Sequence, residues 1–414
     1  MLMSSGTMLA QLLIIGGSPL LTRIYSPAEF GIFAVLSAWI SILGPLACLG
    51  LETPILIEQD DRRARSVTIA ALLAAVATTA LLVACLALLE LSSWGPSRSS
   101  TLGGFLWLLP PGVFLYALTQ PLTNWSLREG AVAVSSLTQV VQAIAQLVGQ
   151  VVLGLASLGT LGICAGYILG LFPRLTWHAI VIRASLWGHL DRTDAKQLRA
   201  AVCREWRYPA IATPAALLRL VSQFLPTIIV TALYGPAVGG LFGLGQRVLT
   251  APVRMFGLAT SQALLAEVSS QDRAGLCRLF TRTVIRFAVV GLAWAIPLAV
   301  AAPWLFEIAF GTEWRPGGEM VRTLMPLHYA RFVLVPVSQL LNVINRHDLD
   351  LVLAVLLVAA LAASFGVAGA LGLQPLAAVA TFSLSSCLVF LVTLTVTWDA
   401  MKKNAHAPIG LGEH

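Results

Sequence analysis

Long apolar runs, separated by short polar segments, make up most of this chain. Twelve of these runs are about 20 residues long, which is the length that a helix needs to cross a hydrocarbon layer of about 30 Å. Charged residues or Gly and Pro bound each run. We predict a helix for each of them: residues 4–22, 30–51, 66–89, 102–123, 132–156, 159–177, 208–233, 237–262, 285–306, 321–343, 350–371 and 375–398.

The overall composition agrees with this pattern. The chain has 414 residues, of which 57% are hydrophobic and 11% are charged. A soluble domain typically has about 45–50% apolar and about 25% charged residues. We therefore expect an all-α polytopic membrane protein.

The distribution of basic residues predicts the orientation, since Lys and Arg are retained on the cytoplasmic side of a membrane. With the N-terminus inside, the opposite loops hold only Arg23, Arg98, Arg315 and Arg322. Both termini are therefore predicted to be cytoplasmic, in a bacterial inner membrane. The segments that this orientation places inside hold Arg62, Arg63, Arg65, Arg128, Arg174, Arg183, Arg192, Lys196, Arg199, Arg204, Arg207, Arg273, Arg278, Arg282, Arg286, Arg346, Lys402 and Lys403.

The net charge of +7 follows from this topological bias, so we expect no nucleic-acid partner. The six cysteines are widely spaced and form no Cys-x-x-Cys pair, whereas metal and redox centres need clustered ligands. We therefore expect no metal, no cofactor and no catalytic site, and the chain is predicted to be a transporter rather than an enzyme.

An internal repeat relates two segments that lie 209 positions apart. Each segment joins the first and second helices of a group of six. Because each group has an even number of spans, both groups have the same orientation in the membrane and are parallel repeats. The recurring residues are Thr22, Tyr25, Pro27, Ala28, Gly31 and Phe33 in the first copy and Thr231, Tyr234, Pro236, Ala237, Gly240 and Phe242 in the second.

The repeat predicts two lobes of six helices each, with the substrate between them. The N-terminal lobe is predicted at residues 1–178 and the C-terminal lobe at 208–400. A cytoplasmic linker at 179–207, with a surface helix from Asp194 to Trp206, joins the lobes, and a cytoplasmic tail follows at 401–414.

Polar residues within the predicted spans lie on single helix faces. Gln139, Gln142 and Gln146 share one face of the fifth helix at 3.6 residues per turn, and Asn342 belongs to a similar face of the tenth. Ordinary interhelical hydrogen bonds would explain any one of these residues, at about 0.6 kcal/mol each. Taken together, they favour a water-filled cavity that binds sugar hydroxyls.

Four arginines, Arg219, Arg247, Arg254 and Arg331, lie within predicted spans. A charge at the centre of a membrane helix costs about 2.5–3.5 kcal/mol, so these side chains should face water, a partner or an anion. No carboxylate is predicted in the middle of any span. This pattern indicates an anionic cargo, such as a phosphate or pyrophosphate bound by guanidinium groups.

The chain also resembles a known family through several segments in the expected order. These are LLTRIYSPAEFGIFAVL, LGLETPILIEQDD, YPAIATPAALLRLVSQFLPTIIVTALYGPAVGGLFGLGQRVLTAPV, FGTEWRPGGEMVRTLMPL and PVSQLLNVINRHDL. They are similar to the polysaccharide (Wzx-type) flippases of the multidrug/oligosaccharidyl-lipid/polysaccharide exporter superfamily.

The resemblance implies a MATE-like fold of twelve helices in two lobes, alternating access and a cationic cavity. The implied substrate is an undecaprenyl-pyrophosphate-linked oligosaccharide for lipopolysaccharide (O-antigen) or exopolysaccharide biosynthesis. Arg23 and Arg247 match positions that are basic in the family. Membrane lipid and other polysaccharide-assembly membrane proteins are the implied partners. The alternatives are an exporter of another substrate, such as a drug or lipid II, and a membrane polysaccharide polymerase or ligase.

Overall fold

The computed structural model describes the backbone of residues 2–91, 102–183, 185, 202–268, 273–343 and 347–405. Within these ranges it does not describe the side chains of residues 2–5, 211, 254–268, 273–274, 276–277, 335–343, 347–350 and 400–405.

Helices account for most of the described residues. Short helical turns lie at Pro54–Leu56, Gly103–Leu108, Tyr208–Ala212 and Thr312–Trp314. The longer helices are α1 (Leu2–Ile24), α2 (Pro27–Leu46), α3 (Asp61–Leu91), α4 (Leu109–Arg128), α5 (Val132–Leu155), α6 (Gly159–Leu169), α7 (Leu171–Val181), α8 (Thr213–Tyr234), α9 (Pro236–Val268), α10 (Arg273–Phe310), α11 (Arg315–Val343), α12 (His347–Ala370) and α13 (Pro375–Ala405).

Each predicted span overlaps a described helix, and the sixth span is divided into α6 and α7 at Gly170. Nine of the described helices are long and apolar enough to cross a membrane. The predicted fold class, an all-α polytopic membrane protein, is therefore confirmed.

Local sequence explains where α2 begins. The Ser26 hydroxyl accepts a hydrogen bond from the Glu29 backbone N–H, and the Glu29 carboxylate accepts one from the Ser26 N–H. This capping box satisfies backbone donors that a helix otherwise leaves unpaired, and Pro27 suits the first helical position because it lacks an N–H. The chain can therefore turn sharply between α1 and α2.

The helices form two compact units, each of which is described by itself. Unit 1 comprises Met1–Leu244 and Ala309–Trp314, and unit 2 comprises Gly245–Ile308 and Arg315–His414. In unit 1, α1 packs on α5, α5 packs on α6, and α2 packs on α4 and α8. In unit 2, α13 packs on α11 and α12.

These units do not follow the predicted lobes, because α8 packs on α2 and belongs to unit 1. The lobe boundaries remain a prediction from the repeat. The predicted surface helix between Asp194 and Trp206 lies mostly outside the described residues. Helix α13 continues to Ala405, beyond the predicted start of the tail at residue 401.

The two copies of the repeat meet inside unit 1. A Cβ atom built on Gly31 would lie 1.8 Å from the carbonyl oxygen of Pro236, and one built on Gly240 would lie 1.9 Å from that of Pro27. The equivalent residue pairs thus make the same contact in both directions. This reciprocity is what a two-fold relation between equivalent surfaces requires, so it supports the predicted repeat.

Candidate functional site

Small residues bring α6 and α7 very close to α5. A Cβ on Gly166 would lie 2.5 Å from the Gln150 backbone nitrogen, and one on Gly170 would lie 2.6 Å from the Gln146 Cβ. Glycines at four-residue spacing allow membrane helices to approach at this distance. This packing sets an antiparallel register in which one turn along α7 matches one turn back along α5.

Polar pairs continue this register beyond the glycines. Four residues after Gly170, Arg174 donates from Nη1 to the Gln142 Oε1 atom at 3.2 Å. Its Nη2 donates to the hydroxyl of Thr123 on α4 at 3.4 Å. The guanidinium group therefore lies where α4, α5 and α7 meet.

One turn further along α7, the fully buried His178 lies between two hydroxyl groups. Its Nδ1 atom is 2.9 Å from the Ser126 hydroxyl on α4, and its Nε2 atom is 3.1 Å from the Thr138 hydroxyl on α5. A neutral imidazole donates through one ring nitrogen and accepts through the other, so both contacts can be hydrogen bonds. We call Arg174, His178 and their four partners the polar ladder; the partners are Gln142, Thr123, Ser126 and Thr138.

The charge of Arg174 has no carboxylate partner within ion-pair distance among the described residues. Its Nε atom is inaccessible to solvent and has no hydrogen-bond acceptor there. A charge buried within a membrane helix costs about 2.5–3.5 kcal/mol unless it faces water or an opposite charge. The sequence count placed Arg174 in a cytoplasmic segment, whereas the structure places its side chain inside the helix packing of unit 1.

A four-residue spacing in the sequence marks the polar ladder. Gly162, Gly166 and Gly170 are four residues apart, and Arg174 and His178 continue the same spacing. A stripe of small residues that ends in charged and polar ones predicts close helix packing followed by interhelical polar contacts.

Unit 2 holds a second polar group, on α9 and α11. The fully buried His328 has its Nε2 atom 2.9 Å from the Gln246 Oε1 atom, which can accept a hydrogen bond from it. One turn along α11, the guanidinium carbon of Arg331 lies 6.0 Å from the centre of the Phe390 ring, at the limit for a cation–π contact. Arg331, predicted to bind substrate, is thus partly buried beside an aromatic ring.

The predicted glutamines of α5 have interhelical contacts. Gln139 accepts a hydrogen bond from the Thr7 hydroxyl of α1 at 2.8 Å, Gln142 accepts one from Arg174, and Gln146 is buried against Gly170. These contacts match the simpler of the two sequence interpretations, interhelical hydrogen bonding. A role for these residues in binding sugars stays a prediction.

The predicted arginines differ in their surroundings. Arg23 at the end of α1 and Arg219 on α8 are exposed, and Arg247 on α9 is partly buried. The side chains of Arg254 and Asn342 lie outside the described residues. The structure therefore brings Arg331 and His328 together within unit 2, and it adds Arg174 in unit 1 to the candidates.

The loop between α2 and α3 carries a carboxylate that is bound on two sides. Glu58 accepts a hydrogen bond from the Asp60 backbone N–H at 3.2 Å and forms an ion pair with Arg204. Desolvation acts to raise the pKa of Glu58, but the Asp60 N–H and Arg204 outweigh it and hold this pKa below its ordinary value of 4.5. This pair ties the α2–α3 loop to the segment that precedes α8.

The same loop contains a second carboxyl group, Glu52, whose pKa is shifted in the opposite direction. The Glu52 Oε2 atom is buried and has no hydrogen-bond partner among the described residues, although the Glu52 backbone carbonyl accepts from the Asn124 side chain at 2.8 Å. Burial raises the pKa of Glu52 above its ordinary value of 4.5. At neutral pH this carboxyl group therefore opposes folding when it is ionised.

Comparison with known proteins supplies the family. The sequence model described as "Polysaccharide biosynthesis protein" matches residues 20–317. No curated protein sequence matches the chain.

Solved structures share the fold across nearly the whole chain. The lipid II flippase MurJ, in an inward closed conformation, is 12% identical with a TM-score of 0.74, over 98% of this chain and 90% of MurJ. A multidrug resistance MATE family transporter, in an inward-facing conformation, is 14% identical with a TM-score of 0.66, over 97% of this chain and 96% of its own. A MOP superfamily transporter from Pyrococcus furiosus is 13% identical with a TM-score of 0.55, over 97% of this chain and 95% of its own. The chain therefore belongs to the polysaccharide biosynthesis protein family and has the fold of the MOP superfamily transporters.

Proposed function

We propose that this protein is a flippase that moves an undecaprenyl-pyrophosphate-linked oligosaccharide from the cytoplasmic to the periplasmic leaflet by alternating access. The observation that carries the proposal is the presence of arginines within long helices that overlap predicted spans of a polysaccharide biosynthesis protein, namely Arg247 on α9 and Arg331 on α11. Guanidinium groups bind phosphate oxygens through paired hydrogen bonds, so such arginines suit a pyrophosphate headgroup.

The direction of transport also suits an anionic cargo. Moving one negative charge out of a negative interior is favourable by about 2.3 kcal/mol per 100 mV. The two charges of a pyrophosphate linkage would gain about twice that amount. The membrane potential could thus drive export. In this proposal the protein lies in the inner membrane with both termini in the cytoplasm, and it transports its cargo without changing it chemically.

The experiment compares lipid extracts from the native host with and without this gene. Mass spectrometry should show a lipid-linked oligosaccharide that accumulates in the deletion strain while the surface polysaccharide disappears. The wild-type gene should reverse the accumulation, and Arg247→Gln should not. The matched control is Arg282→Gln, which removes an exposed arginine from α10 and should restore transport fully.

Lipid II is the alternative cargo, because MurJ, a lipid II flippase, shares the fold. The same extracts separate the two cargoes, since a lipid II exporter would cause accumulation of lipid II instead. An unchanged lipid pool with intact surface polysaccharide would refute the flippase proposal, and full complementation by Arg247→Gln would refute the proposed role of Arg247 in transport.

A further inference from the structure

Arg174 is a cation whose bonding capacity is largely unused. A guanidinium group has five N–H donors. Among the described residues, Arg174 directs one to Gln142 at 3.2 Å and one to Thr123 at 3.4 Å, and its Nε atom has no acceptor. Both bonds are to neutral oxygens and are long compared with the 2.7–2.9 Å that is usual between a guanidinium and an anionic oxygen.

The helix packing shows that this arrangement is built into the fold. The glycine contacts of α6 and α7 with α5 set the register that brings Arg174 opposite Gln142. On α4, the Thr123 hydroxyl donates to the Thr119 carbonyl at 2.7 Å, which leaves its oxygen lone pairs free to accept from Arg174. Three helices thus hold the guanidinium in place with weak partners, which an anionic oxygen can displace.

We propose that Arg174, Gln142 and Thr123 form an oxyanion subsite in unit 1, which binds an acidic group of the transported lipid-linked saccharide. The inference rests on the proposed flippase function. The Nη1 and Nη2 groups of Arg174, whose present acceptors are neutral, provide the paired donors for a bidentate oxyanion, and the Gln142 amide N–H₂ adds a neutral donor. The bound group is either a phosphate of the pyrophosphate linkage or the carboxylate of an acidic sugar, since both present paired anionic oxygens.

The test measures binding to the full-length protein in phosphatidylcholine nanodiscs. Farnesyl pyrophosphate represents the pyrophosphate linkage, and a glucuronate-containing oligosaccharide represents an acidic sugar. Loss of a charge-assisted hydrogen bond corresponds to about a 10- to 100-fold weaker affinity, so Arg174→Gln should weaken binding of one probe by that factor. The probe that is affected identifies the source of the oxyanion.

Two further variants separate binding from a structural role. Arg183→Gln removes an exposed arginine a few turns along the same segment and should bind both probes like the wild type. Arg174→Lys keeps the charge but loses the planar donor pair. A subsite predicts weaker binding by Arg174→Lys, whereas a purely structural cation predicts wild-type affinity.

Equal affinity of wild type and Arg174→Gln for both probes would overturn the subsite. Binding of neither probe by the wild type would overturn it as well. The flippase proposal is tested separately, by the lipid extracts of the deletion strain, so the two failures are distinguishable.

Discussion

The reciprocal glycine contact allows a substitution effect to be worked out from geometry. In Gly31→Ala, the new Cβ atom would lie 1.8 Å from the Pro236 carbonyl oxygen. A carbon–oxygen contact normally measures about 3.3 Å, so the start of α9 must move about 1.5 Å away from α2. Overpacking of this kind costs about 1–3 kcal/mol, and we expect Gly31→Ala to be destabilised by that amount.

The matched control is Gly16→Ala on α1, where a built Cβ meets no atom within 4 Å. Since Ala favours a helix over Gly by about 1 kcal/mol, Gly16→Ala should be as stable as the wild type or more so. The double variant Gly31→Ala/Gly240→Ala should lose less than the sum of the two single losses, because one separation of the helices relieves both clashes.

Thermal unfolding of the detergent-purified protein provides the assay. Cys48 and Cys164 are free and buried, so a thiol-reactive fluorophore reports their exposure once the accessible cysteines have been blocked. Gly31→Ala should unfold at a lower temperature than Gly16→Ala. Equal unfolding temperatures would refute the close approach of Pro236 to Gly31.

Two predictions concern the carboxyl groups of the α2–α3 loop, and the same unfolding assay checks both across pH. Glu52 has a raised pKa, so its ionisation costs stability as pH rises above about 4.5. Glu52→Gln should therefore be more stable than the wild type at pH 7, with a gain that disappears below about pH 4.5; a loss of stability at pH 7 would contradict a buried carboxyl group whose Oε2 atom has no partner among the described residues. Glu58 has a lowered pKa, so its contribution is present above about 4.5 and is lost as pH falls through its folded-state pKa. Glu58→Gln should be slightly less stable at pH 7, by about 0–1 kcal/mol for a pair whose arginine is exposed, and equal to the wild type in acid; a difference that persists in acid would exclude the ion pair as its cause.

The long apolar runs predicted the helices well, because membrane helices need such runs whatever their neighbours are. The predicted start of α9 at residue 237 differs from the observed Pro236 by one position, and the predicted start of α5 at residue 132 agrees with Val132. The third helix begins earlier than predicted, at Asp61, since charged residues can extend a helix beyond its apolar part. Helix ends depend on such local capping, which hydropathy does not report.

The candidate site was harder to predict, because a polar stripe does not reveal its partner. The glutamine face of α5 was found in the sequence, but its neighbours α1 and α7 could be assigned only from the structure. Arg174 was missed because the positive-inside rule counts a basic residue near a helix end as cytoplasmic. The four-residue spacing from Gly162 to His178 indicates that Arg174 lies on the packing face, since this spacing continues the packing face of α6 into α7.

The contact between Gly31 and Pro236, with its counterpart between Gly240 and Pro27, involves backbone atoms only. It carries no ionisable group, so neither acid nor added salt changes the energy of this contact directly, whereas the Arg204–Glu58 pair weakens at high ionic strength. A salt titration should therefore loosen the α2–α3 loop first and leave the junction between the two repeat copies intact. The junction thus keeps its shape under ionic conditions that alter the charged loops of the same unit.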